Sequence, residues 1–342
     1  MMGAPALAAD DDGFVPLFNG KDLTGWVNVN CAPSTFFVKN NEIITTGRPT
    51  GYLRSEKQYE NFIFEMEWMH VNTKEVGNSG LFVWGDPLPA VGTGYTRGIE
   101  VQVLVNLTYT DKKTGKVTAS SHGDLFSIWG ATCMPDRPHP TGAQRCIPSE
   151  NRAKGGGEWN HYKVIANNGV LKLHVNGKEV SGVSECRPRK GYLALESEGA
   201  ECHFRNIKIK ELPSTNPKPE EICHVAADHV SLNDGLTLTG WKADGDSWKA
   251  GGVLRCTGTG NLTTEGKYRH AELIFDWKLP AKSDAKCVVQ VGGKDHVVDA
   301  PKAKPGAWHR ETMTIKLDES APITFKGAKG LELMNIFIKE LK

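Results

Sequence analysis

The sequence is poor in the features that would name a chemistry at once. None of its apolar runs approaches the length of a membrane-spanning helix. Its 41 Lys and Arg residues are offset by 40 Asp and Glu, and the formal net charge of +1 leaves no electrostatic footprint for nucleic acid or an anionic membrane. KGGGEW, Lys154 to Trp159, lacks the Lys-Ser/Thr of a phosphate loop and precedes a strand-like segment instead of opening a helix. There is no GxSxG nucleophile elbow and no HExxH zinc motif. The 8 cysteines form no CxxC pair, which argues against a zinc ribbon. Amphipathic segments of helical period are missing too, so the crossover helices of a doubly wound α/β fold have no source.

What is present is short, alternating and rich in turns. FIFEMEW, HYKVIA, VLKLHVNG and CHFRNIKIKEL alternate with period two, and 37 Gly and 18 Pro punctuate the chain. VNGKEV, from Val175, reads as a hairpin turn. Many short strands imply an all-β protein of two-sheet, jelly-roll β-sandwich type. The pattern also occurs twice. FNGKDLTGW ending at Trp26 returns as LNDGLTLTGW ending at Trp241, ENFIFEMEW as RHAELIFDW, WNHYKVI as WHRETMTI, and FRNIKIKEL as LMNIFIKEL, in unchanged order. The expectation is a tandem: a domain over residues 14–212, a polar Pro-rich linker over 213–224 containing PSTNPKPEE, and a smaller second copy over 225–342.

The two copies differ most between Trp68 and Trp159, where the first is far longer than its counterpart from Trp277 to Trp308. That extra length holds NSGLFVWGD, GIEVQVLVN and SHGDLFSIWGA. Alternation puts Glu100 and Gln102 on one face of their strand and Val101 and Val103 on the other. CVVQVGG looks like a stripped echo, with Gln290 in the place of Gln102 and Val288 in that of Glu100. LESEG sets Glu196 and Glu198 on one side of a strand, either facing water or pressed together so that one carboxyl titrates high and suits proton transfer. His122 is open to three readings: base, metal ligand or structural histidine. Trp84 and Trp129 are candidates for stacking on sugar rings or for the core, and Arg97, Arg137 and His139 are further candidates for contact with substrate.

Cys133 and Cys146 flank a Pro-rich loop, and Cys186 and Cys202 bracket a strand-like segment, so two disulfides are expected in an oxidising compartment. ALAAD near the N-terminus resembles the small-residue tail of a cleaved leader. Together they predict export to the periplasm or beyond.

LFNGKDLTGW, NSGLFVW, GIEVQVL, EWNHYKV, LKLHVNGKEV and FRNIKIKEL closely resemble the 3-keto-disaccharide hydrolase domain family, strongly over residues 14–212 and weakly in the second copy. The resemblance implies a concanavalin-like jelly roll and a carbohydrate partner, a 3-keto-glycoside or 3-keto-disaccharide. It implies hydrolysis, or elimination after C2 proton abstraction followed by hydration. It places Asn78, Ser79, Glu100 and Gln102 at a sugar cleft, with Glu196, Glu198 and His122 as the other catalytic candidates and a divalent cation as a candidate cofactor. Two departures stand out: Val105 precedes Asn106 where many members carry Asp-Asn, and Glu196-Ser-Glu-Gly199 replaces a Gln-Asp-His-Gly-like stretch. The rival reading is a non-catalytic carbohydrate-binding or envelope scaffold protein.

Overall fold

The computed structural model describes residues 12–106, 108–110, 115, 117–120, 123–139, 144–225, 228–298 and 306–341. The chain divides into two compact all-β units, each built on two large antiparallel sheets, with a further two-stranded ribbon of Thr108–Thr110 and Val117–Ser120 in unit 1. Unit 1 contains Pro33–Leu88 and Tyr95–Val225 together with the residues through Val29, and its sheets have nine and seven strands. Unit 2 contains Ala226–Lys342 and two short earlier segments, Asn30–Ala32 and Pro89–Gly94, with sheets of six and five strands.

Alternation builds the core of unit 1. Along Phe62–His70 every second residue is buried, so Phe62, Phe64, Met66, Trp68 and His70 point inward while Glu65 and Glu67 stay on the outer face. Tyr162, Val164, Leu171 and Leu173 extend this layer of the larger sheet. Leu81, Val83, Val101, Val103 and Leu195 supply the facing layer of the smaller one. Polar groups in the core are bonded: Tyr162 donates its hydroxyl to Gln102 O at 2.8 Å, and the His70 ring meets Val103 O at 2.9 Å and Glu201 O at 3.1 Å.

The strand Gly98–Val105 is buried on both faces. Its valines belong to the sandwich core, while Glu100 and Gln102 lie beneath further polypeptide on the other side. In the smaller sheet it stands between Leu125–Ile128 and Gly77–Gly85, and the latter pairs in turn with Gly191–Ser197. This order puts one strand between Glu100 and Glu196.

Three expectations are revised. All 8 cysteines are free thiols, so neither disulfide forms. Cys133 lies on a strand of the larger sheet and Cys146 on a strand of the smaller, and each thiol donates to a carbonyl, of Gln144 and Ile147, at 3.5 Å. Cys186 and Cys202 sit on strands with three others between them, roughly 19 Å apart at normal strand spacing and far beyond bonding reach. Pro213–Glu221 runs along unit 1, with Pro213 O accepting from Asn61 at 2.8 Å and Glu221 paired with Arg189 at 3.0 Å. By sheet order, the Cys287–Val291 strand occupies the place of Gly77–Gly85, so Gln290 is not the counterpart of Gln102. Among the described residues no helix is long and apolar enough to cross a membrane.

Candidate functional site

Gly80 opens the site. It is registered opposite Gln102, and a Cβ there would stand 2.9 Å from Glu196 Oε2 and 3.1 Å from Glu100 Oε1. With no side chain at this position, carboxylates from the strands on either side converge over the middle strand. They form the floor of a cleft of about 520 Å³ walled by Asn78, Tyr95, Gln102, Phe126, Ser127, Ile128, Trp129, Arg145 and Glu198.

The three carboxylates have different surroundings. Glu196 is fully buried, and neither of its oxygens meets a hydrogen-bond donor among the described residues. Burial first, then Glu100 and Glu198 nearby, raise it well above the usual carboxylate range. Burial and the closeness of Glu198 push Glu100 up to about 8, against a lowering pull from Arg145. Glu198 is half-buried and satisfied: Tyr95 donates to Oε1 at 2.7 Å and Asn78 donates to Oε2. Gln102 in turn donates to Asn78 Oδ1 at 2.8 Å, so the amide of Asn78 is held with its NH₂ toward Glu198. Two buried acids beside a bonded third give the cleft both proton donors and a proton acceptor.

The walls add charge and flat surface. Arg145 lies over the Phe126 ring at 4.6 Å and donates through Nε to the buried Asp124 at 2.8 Å, which fixes a permanent positive charge at the rim. Trp129 is 52% exposed and stacks on Tyr95, ring centroids 6.3 Å apart and planes within 12°. Its φ of 52° is the left-handed region, a strained state for a bulky residue and one found where a turn must aim a side chain.

The sequence candidates therefore separate. Glu100, Glu196, Glu198, Asn78, Gln102 and Trp129 meet at the cleft. Ser79 lies behind it, fully buried and donating to Glu196 O at 2.8 Å. Trp84 is a core residue with no exposed face, its indole N–H bonded to Glu60 O at 2.8 Å. Arg97 is tied to Asp86 at 2.7 and 3.1 Å, and Arg137 donates to the carbonyls of Ile147 and Val180. Arg97, Arg137 and His139 do not line the cleft. His122 lies outside the described residues. Tyr95, Phe126 and Arg145 had no motif to flag them; the only signal was their place in the long insert. Among the described residues no three His, Cys, Asp or Glu side chains are spaced to hold a metal ion.

Residues 13–210 match the model of the 3-keto-alpha-glucoside-1,2-lyase-like domain. Over 259 residues the chain is 23% identical to a 3-keto-disaccharide hydrolase of Bacteroides thetaiotaomicron, covering 62% of this chain and 82% of that one. Among solved structures, a candidate glycosyl hydrolase from Parabacteroides distasonis aligns with 61% of this chain and 99% of its own, at 22% identity and a TM-score of 0.46. A carbohydrate binding module from Bacillus subtilis aligns with 55% of this chain and 96% of its own, at 14% identity and a TM-score of 0.39.

Proposed function

We propose cleavage of the C1–O bond of a 3-keto-glycoside, on the premise that the chain belongs to the 3-keto-alpha-glucoside-1,2-lyase-like domain family through residues 13–210. The supporting observation is the convergence of Glu100 and Glu196 over Gly80, both pushed toward the protonated form, with Glu198 lining the same cleft and held by Asn78 and Tyr95.

A ketone at C3 acidifies the hydrogen on C2. In this reading Glu198 removes that proton, and the electron pair of the C2–H bond passes into an enediolate across C2, C3 and the C3 oxygen. The pair then returns to form the C1=C2 double bond as the C1–O bond breaks. Glu100, whose high pKa keeps it protonated near neutrality, gives its proton to the departing oxygen. Arg145 faces the negative charge that develops on the C3 oxygen, and the Trp129–Tyr95 stack holds the ring. Water adding across the new double bond turns elimination into net hydrolysis, the activity by which the Bacteroides relative is named.

The matching fold reading is a concanavalin-like jelly roll repeated in smaller form, and the Ala-rich N-terminal sequence supports export. The exposed, stacked Trp129 also suits a binding module that performs no chemistry. Incubation with a panel of 3-keto-disaccharides, with products followed by NMR, separates the two. Appearance of an unsaturated keto-sugar or of the hydrolysed pair supports catalysis. Saturable binding with no product over days replaces it by the module.

A further inference from the structure

Unit 1 has a second cavity, on the opposite sheet from the Glu100 cleft. Strand register aligns the central strands of the two larger sheets residue by residue. Glu67 lies opposite His161 and Arg205, as Asp276 lies opposite Arg310 and Met334. Each copy then has a bulge at an asparagine with left-handed backbone, Asn206 (φ 52°) and Asn335 (φ 50°), where the register shifts. Thus Glu67, His161 and Asn206 correspond to Asp276, Arg310 and Asn335.

Within unit 2 these three side chains grip a piece of main chain, Pro89–Gly94. Gly92 N–H donates to Asp276 Oδ2 at 2.8 Å, Arg310 donates to Pro89 O at 2.8 Å, and Asn335 donates to Thr93 O at 2.9 Å. Arg310 and Asn335 also donate to Asp276, at 2.7 and 2.6 Å, so the seat is internally locked. Gly92 has φ 72°, and a Cβ on it would stand 2.3 Å from Trp308 Cγ, so only glycine fits over that indole. Asp276 and Asn335 are completely buried by this arrangement.

In unit 1 the same three positions line a cavity of about 660 Å³, with Pro16, Phe18, Asn19, Gly20, Asn41, Glu65, Ile207 and Lys208 around them. The carboxylate Glu65 replaces Ile274, and it meets His161, Lys163 and Lys208 only at 3.6, 3.8 and 3.8 Å, too long for direct hydrogen bonds, so Glu65, His161 and Lys208 face the cavity without being locked to one another. We propose that this cavity is a docking seat for a glycine-containing tight turn of a partner polypeptide, whose main-chain N–H is taken by Glu67 and whose carbonyls are taken by His161 and Asn206. A second copy of this chain is a poor donor. Its Pro89–Gly94 segment belongs to its own unit 2, and at the matching place in unit 2 the Cys287–Val291 and Lys294–Val298 strands are joined by Gly292 and Gly293 alone. The partner proposed is accordingly a different protein, and the proposal does not depend on keto-sugar chemistry.

The test uses the full chain and, as probe, a cyclised peptide carrying residues 86–97, titrated by calorimetry beside maltotetraose. Saturable peptide binding is expected. It should weaken at least about tenfold in Asn206→Gly, which keeps the left-handed backbone but removes the amide, and likewise in His161→Ala. Unchanged thermal unfolding of both variants shows that they fold. No peptide binding, binding indifferent to both substitutions, or binding of the oligosaccharide abolished by them would each overturn the proposal.

Discussion

Units 1 and 2 share one wiring and put it to different uses. Their larger sheets share six strands in the same order, with Trp68 opposite Asn160 as Trp277 is opposite His309, and that of unit 1 carries three more. Their smaller sheets diverge at a single connection. Residues 86–97, of which Pro89–Gly94 belong to unit 2, join the Gly77–Gly85 and Gly98–Val105 strands of unit 1 and include Tyr95; in unit 2 a two-glycine turn joins the equivalents. Unit 1 also continues into Leu125–Ile128 and the Arg145 strand, which wall the cleft, whereas among the described residues Lys294–Val298 is the last strand at that side of the unit 2 sheet. Three acidic side chains crowd together in the first unit. In the second, Thr324 and Gln290 face each other across the corresponding strands. The comparison separates what the sandwich needs from what has been added to it: alternating apolar residues hold both units, and loops and edge strands make the site.

The largest effect expected is on turnover. Glu100→Gln and Glu198→Gln keep size and lose proton chemistry, and each should reduce keto-sugar cleavage by about 10²–10⁴-fold while leaving unit 1 folded. Parallel measurement of kcat and thermal unfolding checks this; full turnover in both variants breaks the contrast between the units.

The next prediction concerns stability. Asp276→Ala strips a fully buried carboxylate from Arg310 and Asn335, and should destabilise unit 2 by about 3 kcal/mol. Its counterpart Glu67→Ala breaks a partly exposed pair with Arg205, for which about 0.5 kcal/mol is expected. Calorimetric unfolding of the two variants reads the difference, and equal shifts would mean that matched positions carry matched weights.

The pH dependence set by Glu100 belongs to unit 1. Glu100 titrates at about 8 when folded, against a normal carboxylate range when unfolded, so between these values the folded state binds more protons. Stability from this group is therefore present at low pH and lost as pH rises through that window, by a few kcal/mol at most (~2–4). Urea unfolding at pH 5 and pH 8 should show a smaller fall in Glu100→Gln than in the unmodified chain. An identical fall in both would mean that Glu100 is ionised throughout.

The smallest effect is that of Trp129→Ala, which should raise KM for a keto-disaccharide severalfold, about 1 kcal/mol, with kcat nearly unchanged. Trp308→Ala, beneath Gly92 in unit 2, should act on stability instead.

Much of this was legible before any coordinates. ENFIFEMEW and RHAELIFDW announce buried strands because side chains alternate at every residue, whatever the strand packs against. Glu100 and Gln102 drew attention as polar residues on an otherwise apolar strand for the same local reason. The repeat, and with it the correspondence of Asn206 and Asn335, also lies in the order of residues. The cysteines could not be read this way, because flanking a loop or a strand does not fix where each thiol points; Cys133 and Cys146 each turn to a backbone carbonyl. Trp84 and Trp129 look alike in sequence, yet one is sealed in the core and the other stands over the cleft.

Sequence alone thus determined the strands, their inward faces and the doubling of the pattern, since each depends on a period of two residues and on turns a few residues long. Only the tertiary structure decided that Glu100 and Glu196 meet across Gly80, that Tyr95 and Arg145 complete the cleft, and that Pro89–Gly94 fills in unit 2 a seat whose counterpart in unit 1 is open. Those outcomes depend on which strands become neighbours, and the free energy of that choice resides in contacts between residues far apart along the chain.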